Sequence, residues 1–144
     1  MTNSILIGKL IYDAIMDDDT LREAVHYTKF DEKQQKDIDK YAVFPLIAGN
    51  DTPFPIIIYT RTSVNGDKAT KDGVVGDKVG FQISVGSDKY FQSAELANEV
   101  RDLFEGCMLQ NESLTIKHIN MSSITESFVE DTYIQTLNFE CSAE

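Results

Sequence analysis

Val79, Phe81, Ile83 and Val85 alternate with Gly80, Gln82, Ser84 and Gly86, and a period of two places the four large side chains on one face of a strand. A sheet containing that strand has a buried side that needs a cover. The next periodic segment supplies it: Ala94, Leu96, Ala97, Val100, Leu103 and Phe104 recur at helical spacing. They predict a helix over about 89–105, capped by Ser87 or Asp88 and stopped by Gly106 in a left-handed conformation. Toward the N-terminus, Ile5, Leu6, Leu10, Ile11, Ala14 and Ile15 form a second helical stripe that Ser4 is placed to cap. Asp17, Asp18 and Asp19 close it. Thr20 and Glu23 then have capping-box spacing, which predicts a short helix through about Val25.

Between these elements the pattern changes character. Residues 27–40 are polar and highly charged, with Phe30 and Ile38 as the available anchors, and predict a surface excursion, helical or mobile. Strands are expected near 43–48 and 55–62, joined by a short turn bracketed by prolines. Pro45 and Pro53 offer no N–H to a ladder and belong at edges or strand starts, while the run Ile56 to Tyr59 reads as a strand buried on both faces. From Ser63 to Asp77 the turn formers Asn65-Gly66-Asp67, Asp72-Gly73 and Gly76-Asp77 predict one long exposed loop, a candidate contact arm. Two last strands follow near 114–124 and 132–141, the second with Tyr133, Leu137, Phe139 and Cys141 on one face. The order ααββ(loop)βαββ predicts an α+β fold, a mainly antiparallel sheet with helices on one face in a two-layer sandwich. No repeat or linker divides the chain, so residues 1–144 are expected to form one domain.

Composition adds a constraint on partners. Lys and Arg number 13 against 24 Asp and Glu, a net charge of −11, and such a field repels a nucleic-acid backbone. Specific nucleic-acid binding is disfavoured. No apolar run reaches the ~20 residues of a membrane-spanning helix, and the first residues have no basic segment before their apolar ones. A soluble, non-secreted protein made in the cytoplasm is expected, with no membrane partner.

The segment Phe44-Pro45-Leu46-Ile47-Ala48, the run Thr52-Pro53-Phe54-Pro55-Ile56-Ile57-Ile58-Tyr59-Thr60-Arg61, the strand from Asp77 to Val85, the helix ending Val100-Arg101-Asp102-Leu103-Phe104-Glu105-Gly106 and the closing segment from Glu130 to Phe139 occur here in order. In that order and spacing the chain resembles the small tail terminator, or tail-completion and head–tail joining, proteins of long-tailed bacteriophages and prophages. The resemblance covers most of 4–141. It implies a structural protein that forms a homo-oligomeric ring, a hexamer, which terminates the tail tube and docks the head connector. Its partners would be the tail tube protein and the head–tail connector, with DNA passing through the ring. Assembly would take place in the host cytoplasm, and the final location would be the virion tail. Asn65, Asp67, Lys68, Lys71, Asp72 and Asp77 are the candidate residues for a subunit contact or a lumen lining.

The residues that could carry chemistry are few. Asp17, Asp18 and Asp19 could hold Mg²⁺ in a small metal-dependent enzyme, but adjacent acids at a helix end point in different directions. Cys107, Cys141, His26 and His118 show neither C-x₂₋₄-C nor H-x₃₋₅-H spacing, and no nucleophile elbow or phosphate loop occurs. No catalytic residue, metal or cofactor is assigned. A monomeric small-molecule-binding module is the other alternative, and it requires a sizeable apolar pocket between sheet and helices.

Overall fold

In the computed structural model, which describes residues 3–49, 51–67 and 76–144, the alternating strand and the covering helix meet through aromatic rings. Phe81 stacks on Phe139 with centroids 5.0 Å apart, and Phe104 approaches each of them at 5.7 Å. All three are almost fully buried. A 3₁₀ turn (Ser4–Leu6) leads into α1 (Ile7–Asp17) and α2 (Asp19–Val25), followed by β1 (His26–Asp31), β2 (Lys36–Tyr41), β3 (Val43–Pro45), β4 (Ile56–Asp67) and β5 (Gly76–Ser87). Then come α3 (Tyr90–Phe104), β6 (Leu109–Gln110), β7 (Thr115–Val129) and β8 (Thr132–Ala143). Six strands form one sheet in the order β3-β4-β5-β8-β7-β6, antiparallel except for the β3–β4 pair, and β1 and β2 form a separate hairpin.

The fold is α+β, with α3 over β5 and β8 and α1 over β4. Every second residue of β5 and β8 is buried beneath these helices: Val79, Phe81, Ile83 and Val85 on one, Leu137, Phe139, Cys141 and Ala143 on the other. Gly106 takes φ +76° and ends α3 as its lack of a side chain allows. Among the described residues no helix is long and apolar enough to cross a membrane.

Several local expectations are corrected. Ser4 is buried and does not cap α1; its hydroxyl donates to Asp77 Oδ2 at 2.6 Å, so α1 begins at Ile7, and Ile5 and Leu6 are left exposed. Asp18, rather than Thr20, caps α2, its carboxylate accepting from the Leu21 amide at 2.9 Å. A shorter connection between the helices decides this, because Asp18 is the one residue there with extended backbone angles. Neither Ser87 nor Asp88 caps α3: the N-cap is Lys89, without a side-chain cap bond, and Ser87 instead accepts from the Lys89 amide at 3.0 Å and donates to Gln92 Oε1 at 2.6 Å.

The charged stretch 27–40 is neither helical nor coil. It belongs to the β1–β2 hairpin, whose ladder bonds form regardless of the polarity of side chains pointing into water. Ile57 alone of Ile56 to Tyr59 is fully buried, because the helices cover one side of the sheet. β3 stops at Pro45, where Leu46 turns to φ +65°.

Candidate assembly interface

Among the described residues no helix or second sheet covers the side of the sheet away from α1 and α3. Antiparallel register places Ile56, Ile58 and Thr60 of β4, Gln82, Ser84 and Gly86 of β5, Thr132, Ile134, Thr136 and Asn138 of β8, and Ser123, Thr125, Ser127 and Val129 of β7 on that side. None carries a charge, in a chain where charged residues make up 26%. Charge enters this face toward its far end, where the register places Lys78, Lys117 and Glu140. The middle is laced by side-chain hydrogen bonds: Gln82 Nε2 donates to Asn138 Oδ1 at 3.0 Å, and Asn138 Nδ2 to Ser123 Oγ at 3.1 Å. An uncharged polar face of this kind is inexpensive to desolvate, since each amide already has a partner and no ion must be stripped of water.

One corner of the face is apolar. Leu46 and Phe54 lean over Ile56, Ile58 and Ile134 around a depression of about 290 Å³, and Leu46 and Ile47 are 74% and 78% exposed. The β7–β8 hairpin closes on Glu130 and Asp131, with φ +50° and +60°, the two positive angles of a tight primed turn. It runs past the helical cover, leaving Ile124, Phe128 and Val129 exposed.

A second apolar patch lies on the helix side of that hairpin. Tyr90 at the start of α3 meets Phe91 and Tyr133, and Tyr133 meets Phe128, with ring centroids 4.7 to 5.6 Å apart. Tyr90 Oη donates to Glu126 Oε2 at 2.9 Å, and Gln135 Nε2 reaches the same oxygen at 3.1 Å. That hydrogen bond, and then the Glu126 charge, raises the Tyr90 phenol above its ordinary pKa. Phe91 remains 76% exposed. The sequence reading missed this cluster, although the adjacent aromatics Tyr90-Phe91 and Phe128 beside Val129 were visible signals.

Of the residues proposed from the sequence as one contact loop, Asn65, Asp67 and Asp77 lie in strands. β4 continues to Asp67 and β5 starts at Gly76, so Asn65 pairs with Lys78, Asp67 with Gly76 and Asp77 with both Gly66 and Ala143. Asp77 is turned to the Ser4 hydroxyl. Lys68, Lys71 and Asp72 lie outside the described residues. Turn-forming residues here ride on the end of a long hairpin, where the ladder satisfies their backbone.

The candidate chemical groups are also placed. Asp17 ends α1, Asp18 caps α2, and Asp19 pairs with Arg22. Among the described residues no group of three potential ligands converges on a common point. His26 Nε2 lies 2.8 Å from Asp39 Oδ1, and His118 sits at φ +55° where the β7–β8 register shifts. Cys141 is buried under the helices, which pushes its thiol up to about 12, and Cys107 is a free thiol near the surface. Phe81, Phe104 and Phe139 fill the space between sheet and helices where a ligand pocket would be needed.

No protein-family model matches the chain, and no curated protein matches it. Its fold is similar to that of a chain in a solved structure described as "Virion of native gene transfer agent (GTA) particle". The likeness has a TM-score of 0.69 over 99% of this chain and 95% of that one, at 16% identity. At that identity the likeness concerns the fold. It runs through both layers and is not confined to a shared sheet motif.

Proposed function

We propose that this chain is a non-enzymatic structural subunit of a phage-type particle, a single-domain tail terminator that closes into a ring, stops tube growth and offers a docking face to the head connector. The observation that carries the reading is the uncharged, uncovered sheet face with its exposed apolar corner. In a chain of net charge −11, separate copies repel one another, and a face free of ions is where contact costs least. The likeness to a virion chain over almost the whole fold supports the same reading. Closure into a ring requires one patch to meet a different patch on the neighbour. The open face and the aromatic patch at Tyr90, Phe91, Phe128 and Tyr133 are two such patches on opposite sides of one hairpin. Six subunits is the number the family resemblance implies. Acidic residues around the passage would keep duplex DNA from adhering as it moves through, by like-charge repulsion. Assembly in the host cytoplasm and residence in the virion tail follow from this role.

The test is the mass of the purified protein across concentration, with electron microscopy and capping of purified tail tubes. Ser84→Lys combined with Thr136→Lys is expected to abolish rings and leave the melting temperature within a few degrees, because both side chains sit at the uncovered surface. Monomers at every concentration, together with failure of the unaltered protein to cap tubes, would overturn the proposal.

A further inference from the structure

The β1–β2 hairpin is unlike the rest of the molecule in charge and in contacts. Four of the chain's 13 basic residues lie in it, Lys29, Lys33, Lys36 and Lys40, balanced by Asp31, Glu32, Asp37 and Asp39. The arm is therefore neutral, and the whole charge of −11 belongs to the remaining chain. Register separates the ribbon into two faces. His26, Thr28 and Phe30 stand opposite Tyr41, Asp39 and Asp37, and His26 pairs with Asp39 there. Tyr27, Lys29 and Asp31 stand opposite Lys40, Ile38 and Lys36, so this face carries three lysines around a half-buried isoleucine. Among the described residues none of these lysines is in an ion pair. Tyr27 and Tyr41 at the base pack on the core; beyond them the strands contact chiefly each other. A two-stranded ribbon alone in water is marginally stable, so a further surface laid on the arm would add to its order.

The helical layer offers a surface of opposite sign. Glu95, Glu99 and Asp102 follow one another at four and three residues along α3, one stripe about 10 Å long. Asp18, at the start of α2, adds a further carboxylate where α2 packs on α3. Among the described residues no cation pairs with any of the four. Lys36 and Lys40 are about 13 Å apart along β2, a span that matches the stripe.

We propose that the β1–β2 arm of one copy lies on the helical layer of a second copy, with Lys29, Lys36 and Lys40 against Glu95, Glu99, Asp102 and Asp18. This rests on the ring reading and names one of its contacts. The arm is then a strap between neighbours, and it orients the heterologous contact, since an arm and a helix stripe cannot be exchanged for one another.

The experiment reverses charge on each side. Lys29→Glu, Lys36→Glu and Lys40→Glu together, or Glu95→Lys, Glu99→Lys and Asp102→Lys together, are each expected to weaken self-association about 100-fold or more through like-charge contact. Mixing the two variants is expected to restore mixed rings. A milder variant with the three lysines changed to Gln, and a salt titration of the unaltered protein, guard against misfolding of the reversed forms; both are expected to weaken association. Normal rings from the reversed arm would refute the strap and leave the ring standing. So would loss of assembly without rescue on mixing, or normal rings that fail only in joining heads, which would assign the arm to the connector. An unaltered protein that never associates removes both.

Discussion

Phe104→Ala removes the ring that joins the two layers. The side chain is fully buried, and its centroid lies 5.7 Å from those of both Phe81 and Phe139. Losing its burial forfeits about 2–3 kcal/mol of transfer free energy. Each ring contact adds about 0.5–1 kcal/mol beyond area, and Phe81 and Phe139, fixed in adjacent strands by the β5–β8 ladder, cannot collapse fully into the space. The expected loss is about 3–5 kcal/mol, a large share of the roughly 5–15 kcal/mol that holds such a domain. Urea denaturation followed by far-UV circular dichroism measures it, provided the slope with denaturant is unchanged. Phe91→Ala is the matched control: the same atoms are deleted from a residue 76% exposed, and less than about 0.5 kcal/mol should be lost. A cost below about 1 kcal/mol at Phe104, or equal costs at the two positions, would refute the layer assignment.

Two further outcomes follow from titratable groups. Burial raises the Cys141 thiol to about 12, so an excess of thiol reagent at pH 8 is expected to modify Cys107 in the folded protein and reach Cys141 only after unfolding; equal rates would contradict the burial. Because an unfolded thiol ionises at about 8.5, the folded state keeps this proton after the unfolded state has lost it, and stability should fall as pH rises from there toward 12. The Glu99 carboxyl is raised first by its hydrogen bond with Asp18, then by desolvation and by the charges of Asp18 and Asp102. Its contribution is thus complete below the ordinary carboxylate range and lost as pH rises through the folded value. Glu99→Gln is expected to raise the melting temperature at pH 7, modestly because solvent screens the site, and to make no difference in acid; a lowered melting temperature at pH 7 would contradict the like-charge account.

What was legible in the sequence is what one-sided burial imposes. Val79 to Val85 and the stripe ending at Phe104 had to alternate or recur because only one side of each element is dry. The β1–β2 hairpin was illegible for the converse reason: both faces are wet, so no apolar period marks it, and its order lies in cross-strand pairing. Asn65-Gly66-Asp67 misled because turn-forming residues can finish a long strand when the ladder already satisfies their backbone. Gln82, Ser84, Thr136 and Asn138 were each visible as uncharged. They become a face only because residues more than fifty apart are neighbours, as Gln82 and Asn138 are, and a single strand's pattern holds no record of which strand lies beside it.

β8 comes after every other described strand in the chain, yet it lies in the interior of the sheet, hydrogen-bonded to β5 on one side and β7 on the other. During synthesis β5 and β7 must therefore wait, each with an open edge and with Phe81 lacking its stacking partner Phe139. The β4–β5 and β7–β8 hairpins are local, but the core closes only when β8 docks against β5 across residues more than forty apart in the chain. Such non-local closure is slow, and waiting edges invite pairing with other chains. A subunit of this design is most vulnerable to aggregation before β8 has docked, and loss of that strand would remove the centre of the sheet, not its margin.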